Sequence, residues 1–338
     1  MRLVKTSINT AKLFIAKQPN RPAYFVAGLV LVLLPVFVAP YLRDIITKIL
    51  IYAIFATSLN LLCGYTGLFS LGHAAYFGVA GYTTSVLLVR YGVESFWIVA
   101  PAGVLMASLI AAAFGFVALR GGRTYFLLIT LAFGQLIYSI ALKWRTMTGG
   151  TNGLVSVGYP DLGLPWFTMG PLSFYYFVSV ILVISFFLLY RLVKSPFGVA
   201  LQAIRENETR MQSLGYNAWL YKYIAFIVAG LFAGVAGTLF SYHTTILVPS
   251  QVGILASALV MLMVIIGGKR VFWGPTIGAI VIVLVEHYSS LYFPTHWPLI
   301  LGCFFVIAVM FLRGGISIYL IKPLKRVASS WIHSGSKV

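Results

Sequence analysis

Apolar residues in this chain come in runs of about 20, separated by short polar and charged clusters. Runs of that length match the hydrocarbon core of a bilayer crossed as α-helix. Ten spans are predicted, at about residues 23–40, 46–63, 67–89, 95–118, 124–142, 172–190, 221–243, 251–267, 272–290 and 297–312. The pattern implies an all-α, polytopic integral membrane protein. Two connections are long. Residues 143–171 hold six glycines and three prolines and read as an irregular loop, with room for a short helix. Residues 191–221 carry helix formers and charge and read as a structured element.

Composition supports the membrane reading. The 338 residues are 60% hydrophobic and 9% charged, against about 25% charged in a soluble domain. Lys and Arg number 24 against six carboxylates, Asp44, Glu94, Asp161, Glu206, Glu208 and Glu286. That excess does not signal nucleic-acid binding, because the cations stand at the ends of apolar runs. It reads as a topology signal. With the N-terminus inside, inner segments hold 19 Lys and Arg and outer ones five, Arg43, Lys48, Arg90, Lys143 and Arg145. Both termini are therefore expected on the cytoplasmic side. The expected organisation is a basic N-terminal segment 1–22, a membrane domain 23–312 and a basic tail 313–338. The first span is expected to stay uncleaved, since Val38-Ala39-Pro40 makes a poor signal-peptidase site. Cys63 and Cys303 lie far apart in apolar segments and imply neither a disulfide framework nor a metal site.

The inner connection has helix signals. Ser195-Pro196 reads as an N-cap followed by proline at the first helical position. A helix over Phe197–Leu214 is predicted, ended by a left-handed Gly215. Leu201, Ile204, Met211 and Leu214 fall near one face, and Glu206 and Arg210 form an i,i+4 pair on another. Asn217 is placed to cap the next span. The apolar face needs a cover, either the lipid interface or a groove on a partner protein. Two of the six carboxylates sit here, which suits a protein partner.

Several motifs then occur together. Ser195-Pro196-Phe197-Gly198, Ala203-Ile204-Arg205-Glu206-Asn207-Glu208 and Leu214-Gly215-Tyr216 form one set. Leu59 to Gly78, which includes Gly64, Ser70-Leu71-Gly72-His73 and Tyr76, forms another. Tyr125-Phe126 through Phe133, Thr148-Gly149-Gly150-Thr151-Asn152-Gly153-Leu154 and Gly267-Gly268 with Trp273-Gly274-Pro275 complete the series. In order and spacing the set resembles the branched-chain amino acid ABC permease family, more narrowly the M-type subunit of the leucine/isoleucine/valine importer, over about residues 46–312. Thr151, Lys269-Arg270 and Phe69 depart from the pattern and bear on the solute rather than the class.

The resemblance implies a permease subunit of the bacterial inner membrane. It would work with a homologous second permease, two ABC ATPases and a periplasmic or lipid-anchored binding protein. The ATPases would use ATP and magnesium, with no cofactor bound by this chain. It implies coupling to the ATPase through Phe197, Gly198, Ala203, Ile204, Arg205, Glu206, Asn207, Glu208, Leu214 and Gly215. Closely similar permeases carry urea, short amides or other amino acids, so the solute stays open at this point.

The five glycines between Gly64 and Gly81, with Ser70 and His73, suit either close helix packing or a broken helix beside a pathway. Gly64, Ser70, Gly72, His73 and Tyr76, with Gly149, Gly150 and Asn152 at the outer mouth, are the candidate pathway residues. An alternative for His73 is a neutral ring bonded to a nearby carbonyl. Gly230-xxx-Gly234 and Ala233-xxx-Gly237 read as helix-packing patterns. Glu286 is the one carboxylate inside a predicted span, with a structural role or a proton relay as readings. The sequence has no GxxxxGK[ST] loop, its one Gly-Lys pair being Gly268-Lys269. A different class, an ion-coupled secondary transporter, rests on Glu286 alone.

Overall fold

The computed structural model describes residues 31–155, 158–163, 169–269, 271–311 and 314–317. The expected basic segment 1–22, part of the first expected span and most of the basic tail lie outside them. By compactness the chain divides into residues 1–43 and residues 44–338. Within the first unit residues 31–37 are helical, and Arg43 Nη2 donates to the Pro35 carbonyl at 3.0 Å.

The helices run α1 (Pro40–Asn60), α2 (His73–Tyr91), α3 (Phe96–Ala118), α4 (Arg123–Lys143), α5 (Pro171–Lys194), α6 (Pro196–Glu206), α7 (Glu208–Ser213), α8 (Ala218–His243), α9 (Ile254–Gly267), α10 (Gly274–Tyr292) and α11 (Trp297–Phe311). Two-residue strands β1 (Leu154–Val155) and β2 (Ile246–Leu247) pair antiparallel. Seven helical stretches among the described residues are long and apolar enough to cross a membrane: Pro40–Thr66, Phe96–Ala118, Tyr125–Lys143, Pro171–Lys194, Ala218–His243, Pro249–Gly267 and Gly274–Tyr292. The protein is a multi-pass, all-α membrane protein. The predicted spans 67–89 and 297–312 fall on α2 and α11. Polar residues in α2 dilute its apolar run, and α11 is only 15 residues long.

The core lies where α1, α2, α3 and α8 meet. Helix α1 presents no single apolar stripe, because its residues from Ile49 on are buried nearly all round. Small residues let α8 approach two neighbours. Gly230 and Gly234 lie against Ala111 and Ala107 of α3, and Gly237 lies against the Phe77 carbonyl of α2. The small-xxx-small patterns thus pack helices inside this one chain. Rings fill the centre: Phe55 stacks on Phe77 with centroids 4.5 Å apart, and Tyr76 meets Phe226 edge-on at 5.6 Å.

Connections gather at two ends. The turn after α3, the α5–α8 connection and the α9–α10 turn share one end with Gly64. Lys269 Nζ lies 4.9 Å from the Phe69 ring centroid. A cavity of about 110 Å³ is lined by Leu68, Leu119, Gly121, Phe126, Glu208 and Lys222. Three of the segments that the charge count groups on one side, the turn after α3, the α5–α8 connection and the α9–α10 turn, therefore sit together in space. At the opposite end the first part of the 143–171 connection, residues 145–155, contains the short helix allowed for it and further regular turns. One turn, Arg145–Thr148, is followed by a 3₁₀ turn at Gly150–Asn152 and by β1, which pairs with β2 after α8.

Replacing Gly237 by valine should force α8 away from the Phe77 carbonyl. The expected cost is about 1–3 kcal/mol, read as a lower Tm and an aggregated fraction when the detergent-solubilised protein is chromatographed.

Candidate functional site

The interruption after α1 arises from local chemistry. The chain leaves the α-helical register at Leu61 and makes π-helical turns through Thr66. Such turns insert a residue and are frequent at functional sites. The Thr66 hydroxyl donates to the Leu62 carbonyl at 2.7 Å, and the Leu68 amide donates to the same oxygen at 3.1 Å. Gly67, with φ of 74°, then turns out of the helix in the left-handed region. Residues 67–72 are non-helical, and α2 begins at His73. The predicted break at Ser70–His73 is present, with its start three residues earlier.

Four other elements hold this break. A Cβ at Gly72 would collide with the Thr130 carbonyl of α4. The Ala74 amide, one of the unpaired donors at the start of α2, donates to Ser257 Oγ of α9 at 3.1 Å. Gly64 faces the Asn60 side chain and the Lys269 carbonyl so closely that any Cβ there would clash. From α6, Arg205 Nη1 donates to the Gly64 carbonyl.

His73 is fully buried, with its ring stacked on Phe55 at 5.5 Å. Its Nε2 lies 2.9 Å from Ser58 Oγ. The Ser58 hydroxyl already donates its one proton to the Phe55 carbonyl at 2.7 Å. Oγ therefore accepts from Nε2–H, which places a proton on Nε2. The partner is a hydroxyl rather than the carbonyl considered from sequence. Nδ1, Ser70 Oγ and both polar atoms of the Asn60 amide have no hydrogen-bond partner among the described residues. Tyr76 is buried one helical turn from His73, their rings edge to face at 5.8 Å.

The α5–α8 connection departs from the expected single helix. Asn207 adopts an extended conformation, φ −154° and ψ 97°, and splits it into α6 and α7. The reason is the capping preference of asparagine: its Oδ1 accepts the Arg210 amide at 2.9 Å and starts a new helix. The two halves then diverge. In α6, Gly198, Ala200, Leu201 and Ile204 are buried against the chain's own helices. No residue of α7 is buried, and Leu214 beyond it is 67% exposed. The expected apolar face spanning Leu201 to Leu214 is thus not continuous, and its first half is already covered.

The ion pairs change accordingly. Glu206 pairs with Arg205 at 2.5 Å rather than with Arg210, and Glu208 pairs with Lys222 at the base of α8 at 2.5 Å. Phe197 stacks on Tyr221 at 5.4 Å. Other expectations hold: Pro196 opens α6, Gly215 is left-handed at φ 88°, and Asn217 caps α8 through the Leu220 amide at 3.1 Å. Ala203 is half-buried on α6.

At the opposite end Gly149 and Gly150 are both left-handed, and the Thr148 hydroxyl donates to the Ala141 carbonyl at 2.7 Å. Asn152 is exposed. On α1, Lys48 pairs with Glu286 of α10 at 3.4 Å, and Asp44 lies 3.7 Å from His243 of α8. The structure therefore brings Gly64, Ser70, Gly72, His73, Tyr76 and Arg205 into one neighbourhood, and leaves Gly149, Gly150 and Asn152 at the other end.

Comparison with known proteins decides the family. Residues 41–313 match the family described as "Branched-chain amino acid transport system / permease component". The chain belongs to this family. Such permease components include the Escherichia coli K12 "High-affinity branched-chain amino acid transport system permease protein LivM", 32% identical over 77% of this chain and 67% of the relative. The Salmonella typhimurium protein of the same name is 30% identical over 71% of this chain and 62% of its own length. The Salmonella typhimurium LivH permease is 24% identical over 77% of this chain and 88% of its own. The chain thus spans about two thirds of the length of the two LivM relatives. No solved structure matches it.

In this permease component, sequence reasoning gave no site role to Asn60, Ser58 and Lys222, and took Lys269 only as a departure from the family pattern. Asn60 reads as a polar interruption in a leucine-rich run, although a buried amide inside a span is itself a signal. Lys222 reads only as a topology charge, and its partner Glu208 lies too far away in sequence for helix spacing to relate them.

Gly64→Ala should insert normally yet lose about 1–3 kcal/mol of stability, because a methyl group meets Asn60 and the Lys269 backbone at once. Thermal unfolding of the purified variant, beside Gly302→Ala at a position with open space, measures the difference.

Proposed function

We propose that this permease component is the M-type membrane subunit of an ATP-driven importer that carries leucine, isoleucine and valine across the bacterial inner membrane. The observation that carries the reading is α7: a helix with no buried residue, standing on an α6 that is firmly packed into the membrane domain. A projecting tip on a base packed against the spans suits the receipt of force from another polypeptide. The residues offered at that tip are Glu206, Asn207, Thr209, Arg210, Leu214 and Tyr216. Phe197, Gly198, Ala203 and Ile204 form the base, a division of labour that sequence alone did not separate.

Two ABC ATPases would hydrolyse ATP with magnesium and move α7. A homologous permease, for which the LivH-type relative is the natural counterpart, would form the path together with this chain. A binding protein would deliver the solute at the opposite end, near Gly149, Gly150 and Asn152. The 19-to-5 charge division supports a cytoplasmic position for α7, on the side where ATP is. Gly64, Ser70, Gly72, His73 and Tyr76 would act where the path closes on that side. The cycle is alternating access, in which the two states are selected by a partner's nucleotide state. Glu286, the carboxylate that an ion-coupled mechanism would use, is engaged by Lys48.

Abolishing cellular ATP while the ion gradient is clamped should stop leucine uptake, and continued uptake would favour ion coupling. A cysteine placed at Thr209, in a Cys303→Ser background, should react with a membrane-impermeant thiol reagent only from the inner face. Glu206→Lys should reduce co-purification of the ATPases about ten-fold while membrane insertion, followed by immunoblot, is unchanged.

A further inference from the structure

The exposed tip and the interrupted span are joined by one side chain. Arg205 is the next-to-last residue of α6, between the buried Ile204 and the extended Asn207. Its guanidinium points inward and is 17% exposed. One edge, Nη1, donates to the Gly64 carbonyl, and Nε and Nη2 donate to Glu206 at 3.2 and 2.5 Å. The acceptor is not an arbitrary oxygen. Gly64 lies in the last turn of the helix that starts at Pro40, where carbonyls have no helical amide to receive. Near the membrane an unpaired carbonyl is costly, and a charged donor is the strongest available partner.

The site is also closed on its other sides. Asn60 and the Lys269 backbone leave no room for a side chain at Gly64. Three residues further on, the chain turns at Gly67 into the non-helical stretch 67–72. Among the described residues no other side-chain hydrogen bond joins α6 or α7 to residues 61–72. Glu206 is 69% exposed, so its ion pair adds little by itself. It does orient the guanidinium toward Gly64, and it belongs to the same exposed tip that a partner would touch.

We propose that Arg205 is the positioning residue through which movement of α6 and α7 reaches the break at residues 67–72, because its guanidinium holds the Gly64 carbonyl at the end of the interrupted helix. Pulling or rotating α6 changes the support of that carbonyl and with it the last turn before the break. The inference rests on the importer reading and adds to it the route from tip to path. It predicts that losing the contact separates ATP hydrolysis from transport without separating the subunits.

The test uses the complete transporter: this chain, the homologous permease and the ATPases, reconstituted in liposomes with the leucine-loaded binding protein. Arg205→Met keeps the aliphatic stem and removes every donor. Radiolabelled leucine taken up per ATP hydrolysed should fall about ten-fold, the scale of one charged hydrogen bond, with the ATPases still co-purifying. Arg205→Lys, which restores a charged donor, should recover at least a third of the wild-type ratio. A cysteine at the half-exposed Leu71 should change its thiol reactivity between nucleotide-free and ATP-bound wild type, and lose that change in Arg205→Met. If Arg205→Met fails to insert, Arg205→Gln, too short to span the same gap, takes its place under the same criteria.

An uptake-per-ATP ratio within two-fold of wild type would overturn the proposal. So would loss of ATPase co-purification in parallel with uptake, which would make Arg205 a docking residue. Failure of the unsubstituted chain to assemble with ATPases would instead remove the importer reading itself.

Discussion

A helix inside a bilayer can be interrupted only where something other than water takes over its backbone polar groups. The stretch between Gly64 and His73 exists on that condition. The backbone groups that flank it are met by side chains: the Leu62 carbonyl by the Thr66 hydroxyl, the Gly64 carbonyl by a guanidinium from α6 and the Ala74 amide by a serine from α9. The surrounding helices are placed to bring those groups within reach. The small residues of α8 let α3 and α2 close around the core, and Gly72 brings α4 against the break. The interruption is therefore a property of the whole membrane domain, not of one span.

Much of the architecture was legible in the chain. Span positions followed from run length, and the grouping of connections at each end followed from charge. What escaped was governed by single side chains. Asn207 ended one helix and began another because capping outweighed continuation, yet within the sequence it sits among good helix formers. Glu208 and Lys222 meet only after the chain has folded back. The glycine-rich 143–171 connection looked irregular because its strand partner, Ile246–Leu247, is about ninety residues away. Local pattern could not reveal a ladder of two residues with so distant a partner. The motif residues themselves were found readily, but their division into a packed base and an exposed tip depended on burial, which periodicity over Leu201 to Leu214 had misassigned.

Charge is distributed differently at the two ends. Near Gly64 charged side chains link a surface element to the membrane domain, Arg205 through the Gly64 carbonyl and Glu208 through Lys222 of α8. At the opposite end they link spans to one another, as Lys48 does with Glu286. The Lys48–Glu286 pair lies within two spans, where a lone charge would be expensive and a paired one is tolerated. Its partial exposure places it at the margin of the core.

The β1–β2 pairing carries a mechanical consequence for the opposite end. Leu154 and Leu247 are buried partners, and Leu247 also rests on α2 at Gly81. The segment after α4 and the segment after α8 are thereby clasped to each other and to a common helix. Neither can swing aside alone. Any widening there has to carry both as a unit, like a hinged cover rather than two independent flaps, and its stiffness is set by α2, the same helix whose first turn begins at the break.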